Sequence, residues 1–144
     1  TDTQTGCAWS ISEFASVDTT GTNGSGAIVQ DAGNFPGTKT ANLTVTLAAF
    51  GDATNNVPFG TFFIEANAAI TNETGYTEIH DVTYATPSTA LETEWKVGED
   101  TSVSASWSGN QKRGGIAVEI KFAAAEGAGG ATIQGATLQG AAIQ

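Results

Sequence analysis

Only a few residues of this sequence have types and spacing suited to chemistry. His80 is the single histidine, and it lies beside Asp81 and two residues after Glu78. A metal or acid–base site at this place would need more ligands, and the sequence contains no second histidine and only one cysteine, Cys7. We therefore interpret His80 as a partly exposed strand residue and Cys7 as a structural thiol, since no pattern supports a Cys–His dyad.

The acid pair Glu92 and Glu94 is the strongest candidate for catalysis. On one strand, carboxyl groups two residues apart stand ~7 Å from each other, and two carboxylates at such a separation can hydrolyse a glycosidic bond. Active-site acids normally come from different strands that line a cleft, whereas two outward positions on one strand form a solvated face. The pattern therefore predicts a solvated face, and no residue is assigned a catalytic role.

Two kinds of ligand binding are weaker alternatives. Calcium could be bound by loop acids, for which the sequence offers Asp31, Asp52, Glu99 and Asp100. None of these loops has the regular spacing of calcium ligands, so no metal or cofactor is expected. Sugars could stack on tryptophan, but Trp95 and Trp107 take the inward phase of their strands, which is typical of core packing. Trp9 alone could be exposed.

The chain is strongly acidic. Among its 144 residues, 15 acids face 5 bases, so the formal net charge is −10. A field of this sign repels nucleic acid and anionic membrane surfaces, which excludes nucleic-acid binding as a function class. No apolar stretch approaches the ~18 residues of a membrane span. A single thiol fits synthesis in a reducing cytoplasm, and the first residues show no signal peptide, although one removed before Thr1 would not be seen.

Alternation of apolar and polar residues with period two is the main structural signal. The segments that carry it, some with a phase slip, are 8–17, 27–29, 43–47, 59–66, 76–84, 91–97, 103–107 and 116–122. In the segment 91–97 the phase predicts that Leu91, Trp95 and Val97 face the core. The same phase predicts that Glu92 and Glu94 face solvent.

Two further segments carry specific expectations. In residues 116–122, the phase predicts that Ile116 faces the core and Glu119 faces solvent. In residues 76–84, Ile79 and Val82 are out of phase, which predicts a β-bulge between them.

The strand count and the turns between the strands predict the fold. Seven or eight short strands in ~120 residues, separated by turn residues about every ten positions, are typical of a β-sandwich or jelly roll. A single open sheet would leave an apolar face in water, so two packed layers are favoured. We expect an all-β, antiparallel, jelly-roll-like sandwich that forms one domain over residues 1–122.

Residues 123–144 differ from the rest of the chain. A Gly/Ala hinge leads into a five-residue repeat whose third position is Ile133, Leu138 and Ile143, the first two followed by Gln134 and Gln139. In an extended strand this period sends Ile133 and Leu138 to opposite faces. The repeat is also shorter than one coil of a pentapeptide β-helix, and stacked repeats need neighbours. These five residues are therefore predicted to form an assembly tail that folds only with partners.

A family resemblance covers residues 41–122. The segments that carry it are 42–47, 75–77, 86–92, 95–98, 106–109 and 116–121. Their layout resembles a β-sandwich module of structural proteins of tailed phages, of the capsid decoration or tail type, and of bacterial surface proteins. The resemblance implies a non-enzymatic role in packing or adhesion.

Two functions from different classes follow as expectations. The first is a virion structural protein, made in the host cytoplasm, that acts as a capsid decoration (cement) protein or as a tail or fibre subunit. Its partners would be copies of itself, in a trimer, and major capsid or tail proteins. The alternative is a secreted carbohydrate-binding or surface-adhesion domain, or a subunit of an extracellular filament. A hydrolase is the poorest reading, because no nucleophile–base pair can be named.

Overall fold

The computed structural model describes residues 7–123, which fold into two antiparallel β-sheets. The strands are β1 (Ile28–Asn34), β2 (Thr40–Thr46), β3 (Val57–Ile64), β4 (Ile70–Asn72), β5 (Thr77–Ala85), β6 (Ser88–Trp95), β7 (Ser102–Gln111) and β8 (Arg113–Ile120), after a short 3₁₀ helix (Thr22–Ala27). The larger sheet has the order β1-β8-β3-β6-β5, and the smaller has the order β2-β7-β4. The prediction of an all-β sandwich is confirmed. The described residues contain no helix long and apolar enough to cross a membrane.

The main core lies between the two sheets. Its most deeply buried side chains are Phe62 and Ile64 of β3, Val45 of β2, Val103 of β7 and Ile70 of β4. Burial of an apolar side chain of this size is worth about 1.5–3 kcal/mol. These contacts therefore hold the sheets face to face.

The two sheets approach closely at Gly60 of β3. A Cβ atom at this position would lie 2.7 Å from Cγ1 of Val103 in the smaller sheet and 3.4 Å from Cγ of Glu94 in the larger sheet. Glycine fits here because it has no Cβ, and any other residue would push the sheets apart.

The N-terminal segment, residues 7–18, crosses the outer face of the larger sheet. The ring of Phe14 stands edge-on to the ring of Phe59, with centroids 5.5 Å apart. Val17 makes an isolated antiparallel bridge with Phe122. The segment is held by ring packing and by this single backbone bridge, not by a strand ladder, so the prediction of a strand at residues 8–17 is wrong. A second apolar cluster forms beneath it.

Strand β6 faces the opposite way from its prediction. Glu92 and Glu94 lie on the face that carries Ala90 into the main core, and both are 0% exposed. Leu91 and Trp95 lie on the outer face, where they pair with residues of β3. The prediction failed because the larger sheet is apolar on both faces, and alternation alone does not show which face is inner.

Strand β8 shows the same reversal. Ala117 and Glu119 face the core and are fully buried, whereas Ile116 is 43% exposed on the outer face. Val97, which was predicted to face the core, lies just beyond the end of β6 and is 72% exposed.

The irregularity predicted in β5 is present. Its register against β6 shifts between Glu78 and His80, just before the predicted place. After the shift, Asp81 lies opposite Glu92, which brings another acid to the inner face.

At the β1 edge of the larger sheet, side chains take the place of a paired neighbour strand. Gln30 of β1 donates from Nε2 to the carbonyl of Ala48 (3.1 Å) and accepts from the N–H of Ala48 (2.9 Å). Asn34 donates from Nδ2 to the carbonyl of Thr44 at 2.7 Å. These bonds link edge strand β1 to β2 and its following loop, so the edge is not left open to other chains.

Candidate functional site

The predicted assembly residues Ile133, Gln134, Leu138, Gln139 and Ile143 lie outside the described residues. What the structure describes is the point from which their segment departs. The N–H of Ala123 donates to the carbonyl of Ser16 at 2.9 Å. Ala123, the last described residue, therefore lies beside the N-terminal segment, at the outer face of the larger sheet.

His80 and Cys7 are not brought into a site. His80 lies half-buried on β5, in register with Thr93 of β6. Cys7 is exposed and free. Within residues 7–123, no group of three or more histidine, cysteine or acidic side chains is arranged to hold a metal ion.

Three of the four acids considered as calcium ligands serve as hydrogen-bond acceptors for loop backbone. Asp52 accepts from the side chain of Asn55 (2.7 Å) and from the N–H groups of Asn55 and Thr54, and these bonds lower its pKa. Glu99 accepts from the N–H of Phe50 at 3.1 Å. Asp100 accepts from the N–H of Ser102 (3.0 Å) and from Nζ of Lys96 (2.7 Å). The fourth acid, Asp31, is exposed on β1.

Two acids of the larger sheet reach across to edge strand β4. Asp81 accepts from the N–H of Ile70 at 3.2 Å, and Glu94 accepts from the N–H of Glu73 at 2.9 Å. Ile70 is the first residue of β4, and Glu73 directly follows its last residue. The carboxyl groups thus replace the missing neighbour strand and satisfy backbone donors that burial would otherwise leave without a partner.

Glu92 is different, because neither of its carboxyl oxygens has a hydrogen-bond partner. Burial raises its pKa to about 9, and the charges of Glu94, Glu78 and Asp81 add to the effect. Burial also raises the pKa of Glu94 to about 7, although the hydrogen bond from Glu73 opposes the change. Glu92 is therefore a neutral carboxylic acid at neutral pH, because an ionised group cannot be kept in this interior without a partner.

Other ionisable groups around this pair shift in the same direction. Burial is the main cause of a raised pKa at Asp81 and at Tyr76, and the hydroxyl of Tyr76 has no hydrogen-bond partner. Full burial leaves a glycoside no path to Glu92 or Glu94. The chemistry open to the pair is uptake and release of protons.

Glu119 is a buried acid of another kind. Its Oε1 accepts from the N–H of Gly51 at 3.0 Å and from Nδ2 of Asn56, and its Oε2 accepts from Nε2 of Gln30 at 2.6 Å. These bonds tie β8 to β1 and to the loop that follows β2. Both carboxyl oxygens are satisfied, so this acid has a structural role.

The outer face of the larger sheet carries a row of apolar side chains, here called the apolar band. It consists of the half-buried Val82 and Leu91 and the exposed Phe63 and Phe35. Phe35 is 59% exposed and Phe63 is 41% exposed. Their ring centroids are 6.3 Å apart.

Glycine makes room for these two rings. A Cβ atom at Gly114 would lie 2.5 Å from ring atoms of both Phe35 and Phe63, and one at Gly33 would lie 2.7 Å from Phe35. The rings therefore rest on bare backbone, in positions that no larger residue beneath them would permit.

Comparisons with protein-family models, curated proteins and solved structures found no match.

Sequence reasoning missed both the buried acid pair and the apolar band. The signal available for the band was the apolar content of both phases of β3, where Phe62 and Phe63 are adjacent. A strand that is apolar on both sides indicates a sheet covered on both sides. For Glu92, the local sequence carries no signal, because its neighbours alternate as they would on a solvated strand.

Proposed function

We propose that this chain is a non-enzymatic structural protein of a virion. It would be a capsid decoration (cement) protein or a tail or fibre subunit of a tailed phage, made in the host cytoplasm and assembling through its C-terminal segment. The observation that carries this proposal is the apolar band, since exposed aromatic rings on a rigid sheet are typical of surfaces that meet another protein.

The tied loops of the sandwich support this role. Gln30 and Glu119 each hold a neighbouring loop through hydrogen bonds to its backbone, and Asp52 does the same for its own loop. A subunit that keeps its shape loses little conformational freedom when it docks, so more of its contact energy is available for binding.

The distribution of charge suits a repulsive sandwich and a C-terminal segment that makes the contacts. The chain has a formal net charge of −10, so copies repel each other while free in the cytoplasm. Residues 127–144 contain no charged side chain. Contacts made by this segment would escape the repulsion, and the segment would lose its conformational entropy only on docking. Closed symmetry is the rule for such assemblies, and we propose a trimer.

The test compares assembly by the full chain with assembly by a variant of the tail. Ile133, Leu138 and Ile143 are replaced together by serine, and the matched control replaces Thr132 and Thr137 by serine. Native mass spectrometry should show a trimer for the full chain and the control, and a monomer for the triple variant. Co-sedimentation with particles of a phage whose genome carries the gene should follow the same order. A full chain that stays monomeric and never binds capsids or tails would refute the proposal.

A secreted carbohydrate-binding or adhesion domain is the second candidate. It is favoured by the exposed aromatic side chains Phe35, Phe63 and Trp9, since sugars stack on aromatic rings. The discriminating measurement is binding of the full chain to a glycan array, repeated with Trp9→Ala and Phe63→Ser. Saturable binding lost in either variant would support this candidate, and genes for capsid and portal proteins beside the gene would support the virion.

A further inference from the structure

The apolar band lies across the strands of the larger sheet, on its outer face. The outer face of the larger sheet can be divided into rows that cross its strands. In one row, Val82 lies opposite Leu91, Leu91 opposite Phe63, and Phe63 opposite Gly114. Phe35 extends this row toward β1. The row reaches across most of the sheet, and its rings are exposed.

The chain already shows how an extended segment covers this face. The N-terminal segment lies over the rows that contain Thr93 and Phe59, toward the C-terminal ends of β6 and β8. Oγ of Ser10 lies 3.4 Å from Oγ1 of Thr93, and the ring of Phe14 contacts the ring of Phe59. Among the described residues, the contacts of this cover extend as far as the row of Thr93. The apolar band is the next row.

The described chain ends at the same face, before a C-terminal segment whose residues 127–144 contain no charged side chain. Phe122 forms the bridge with Val17, and the described residues end at Ala123. Fully extended, residues 124–144 would reach at most about 70 Å. The distance along β8 from Phe122 back to Gly114 is only about 26 Å at the usual strand rise. The segment therefore has ample length to reach an apolar band, in its own chain or in an adjacent one.

The spacing of its apolar residues favours an adjacent chain. An extended segment presents Ile133 and Leu138 on opposite sides. If it lay on its own sheet, one of the two would be left in water. If it lay between two copies, both could be buried.

We propose that the apolar band of each copy binds the C-terminal segment 124–144 of a neighbouring copy. This inference rests on the proposed function, and it adds the surface that receives the segment. Ile133 and Ile143 lie on one side of the extended segment and Leu138 on the other, so they meet the Phe35 and Phe63 rings of the two copies between which the segment lies. Because the rings rest on glycine, a branched side chain can lie against them without moving the backbone beneath.

Disulfide trapping between full-length chains tests the contact. In a Cys7→Ser background, one chain carries Phe63→Cys and another carries Leu138→Cys, with tags of different mass. The control pairs the same Leu138→Cys chain with a Val97→Cys chain, since Val97 is also an exposed apolar residue but lies outside the apolar band. After mild oxidation, the mixed disulfide with Phe63→Cys should exceed the one with Val97→Cys about tenfold or more, the ratio expected from an anchored contact.

Each result decides between occupants of the band. Equal trapping at positions 63 and 97 would overturn the inference. A chain that carries both Phe63→Cys and Leu138→Cys and closes only within itself, at every concentration, would also overturn it, because the segment would then cover its own sheet.

A second variant keeps the inference testable if trapping distorts the fold. Phe35→Ser with Phe63→Ser should weaken assembly of the full chain about tenfold or more, while Val97→Ser should leave it unchanged. Thermal melting separates a lost contact from a lost fold. If the triple serine variant of the tail abolishes assembly but the band variant does not, the proposed function stands and this docking surface is wrong. If neither variant affects assembly, the proposed function itself fails.

Discussion

Replacement of Glu92 by glutamine tests whether the centre of the sandwich holds a neutral acid. The pKa of Glu92 is about 9, against 4.5 for an ordinary glutamate, and that of Glu94 is about 7. The folded protein therefore keeps protons that the unfolded chain has already released. Between pH 4.5 and 9, unfolding releases protons, so the free energy of unfolding falls as the pH rises.

The size of the effect follows from the same values. Each pKa unit corresponds to about 1.4 kcal/mol, so at pH 7 each glutamate lowers the stability by about 3 kcal/mol relative to pH 4.5. The two acids influence each other, which makes the sum of both an upper bound. The charges of Glu78 and Asp81 on Glu92, and of Glu73 and Asp100 on Glu94, are among the causes of these raised pKa values. The free energy of unfolding of a small domain is about 5–15 kcal/mol in total. A change of this size with pH should therefore be easy to measure.

The assay is urea unfolding at pH 5, 7 and 8.5, followed by tryptophan fluorescence. Glu92→Gln should be within about 1 kcal/mol of the unmodified protein at pH 5 and about 3 kcal/mol more stable at pH 7, because glutamine does not ionise. The control is Glu65→Gln, an exposed glutamate 3.5 Å from Lys112, which should leave the slope unchanged. Stability that is constant or rises from pH 5 to 8.5 would refute the reasoning, as would a Glu92→Gln variant with the same slope as the unmodified protein.

Two further substitutions test the packing. Gly60→Ala should lower the free energy of unfolding by about 1–3 kcal/mol, because its Cβ would meet Val103. Gly37→Ala, where no atom lies within 4 Å of the added Cβ, is the matched control, and an equal effect of both on thermal melting would contradict the close approach of the sheets. Glu119→Ala should cost about 3 kcal/mol, since it leaves buried donors without an acceptor. Replacement of exposed Glu13 should change the urea midpoint little, and a Glu119 variant with that midpoint would show that these bonds do not matter.

Strands β2 and β7 of the smaller sheet could be predicted from the sequence down to the direction of their side chains, whereas β4 was not among the predicted segments. Leu43 and Val45 of β2, and Val103 and Trp107 of β7, are buried as their alternation indicates. The prediction works because the residues between them are threonine and serine, which face solvent. A sheet with one wet face has a phase that the sequence alone can determine.

The larger sheet shows why the rest could not be predicted. Its outer face is partly covered by residues 7–18, so apolar residues occur in both phases of β3, and the sequence does not say which phase faces the other sheet. For β6 and β8 the wrong phase was predicted to face the other sheet, so the burial of Glu92 and Glu119 was not predicted. The exposure of Phe63 could not be foreseen for the same reason, because it depends on how far the N-terminal segment reaches across the sheet.

The unpartnered carboxyl group of Glu92 also gives the domain a signal that infrared spectroscopy can follow. A protonated carboxylic acid absorbs in the infrared at higher frequency than carboxylate and amide groups, so its band can be assigned without any label. In heavy water, the acid proton can be replaced only when the interior becomes accessible to solvent. The rate at which the band shifts on deuteration would therefore measure how often the two sheets separate at their centre, and a comparison of free with assembled protein would show whether docking slows that opening.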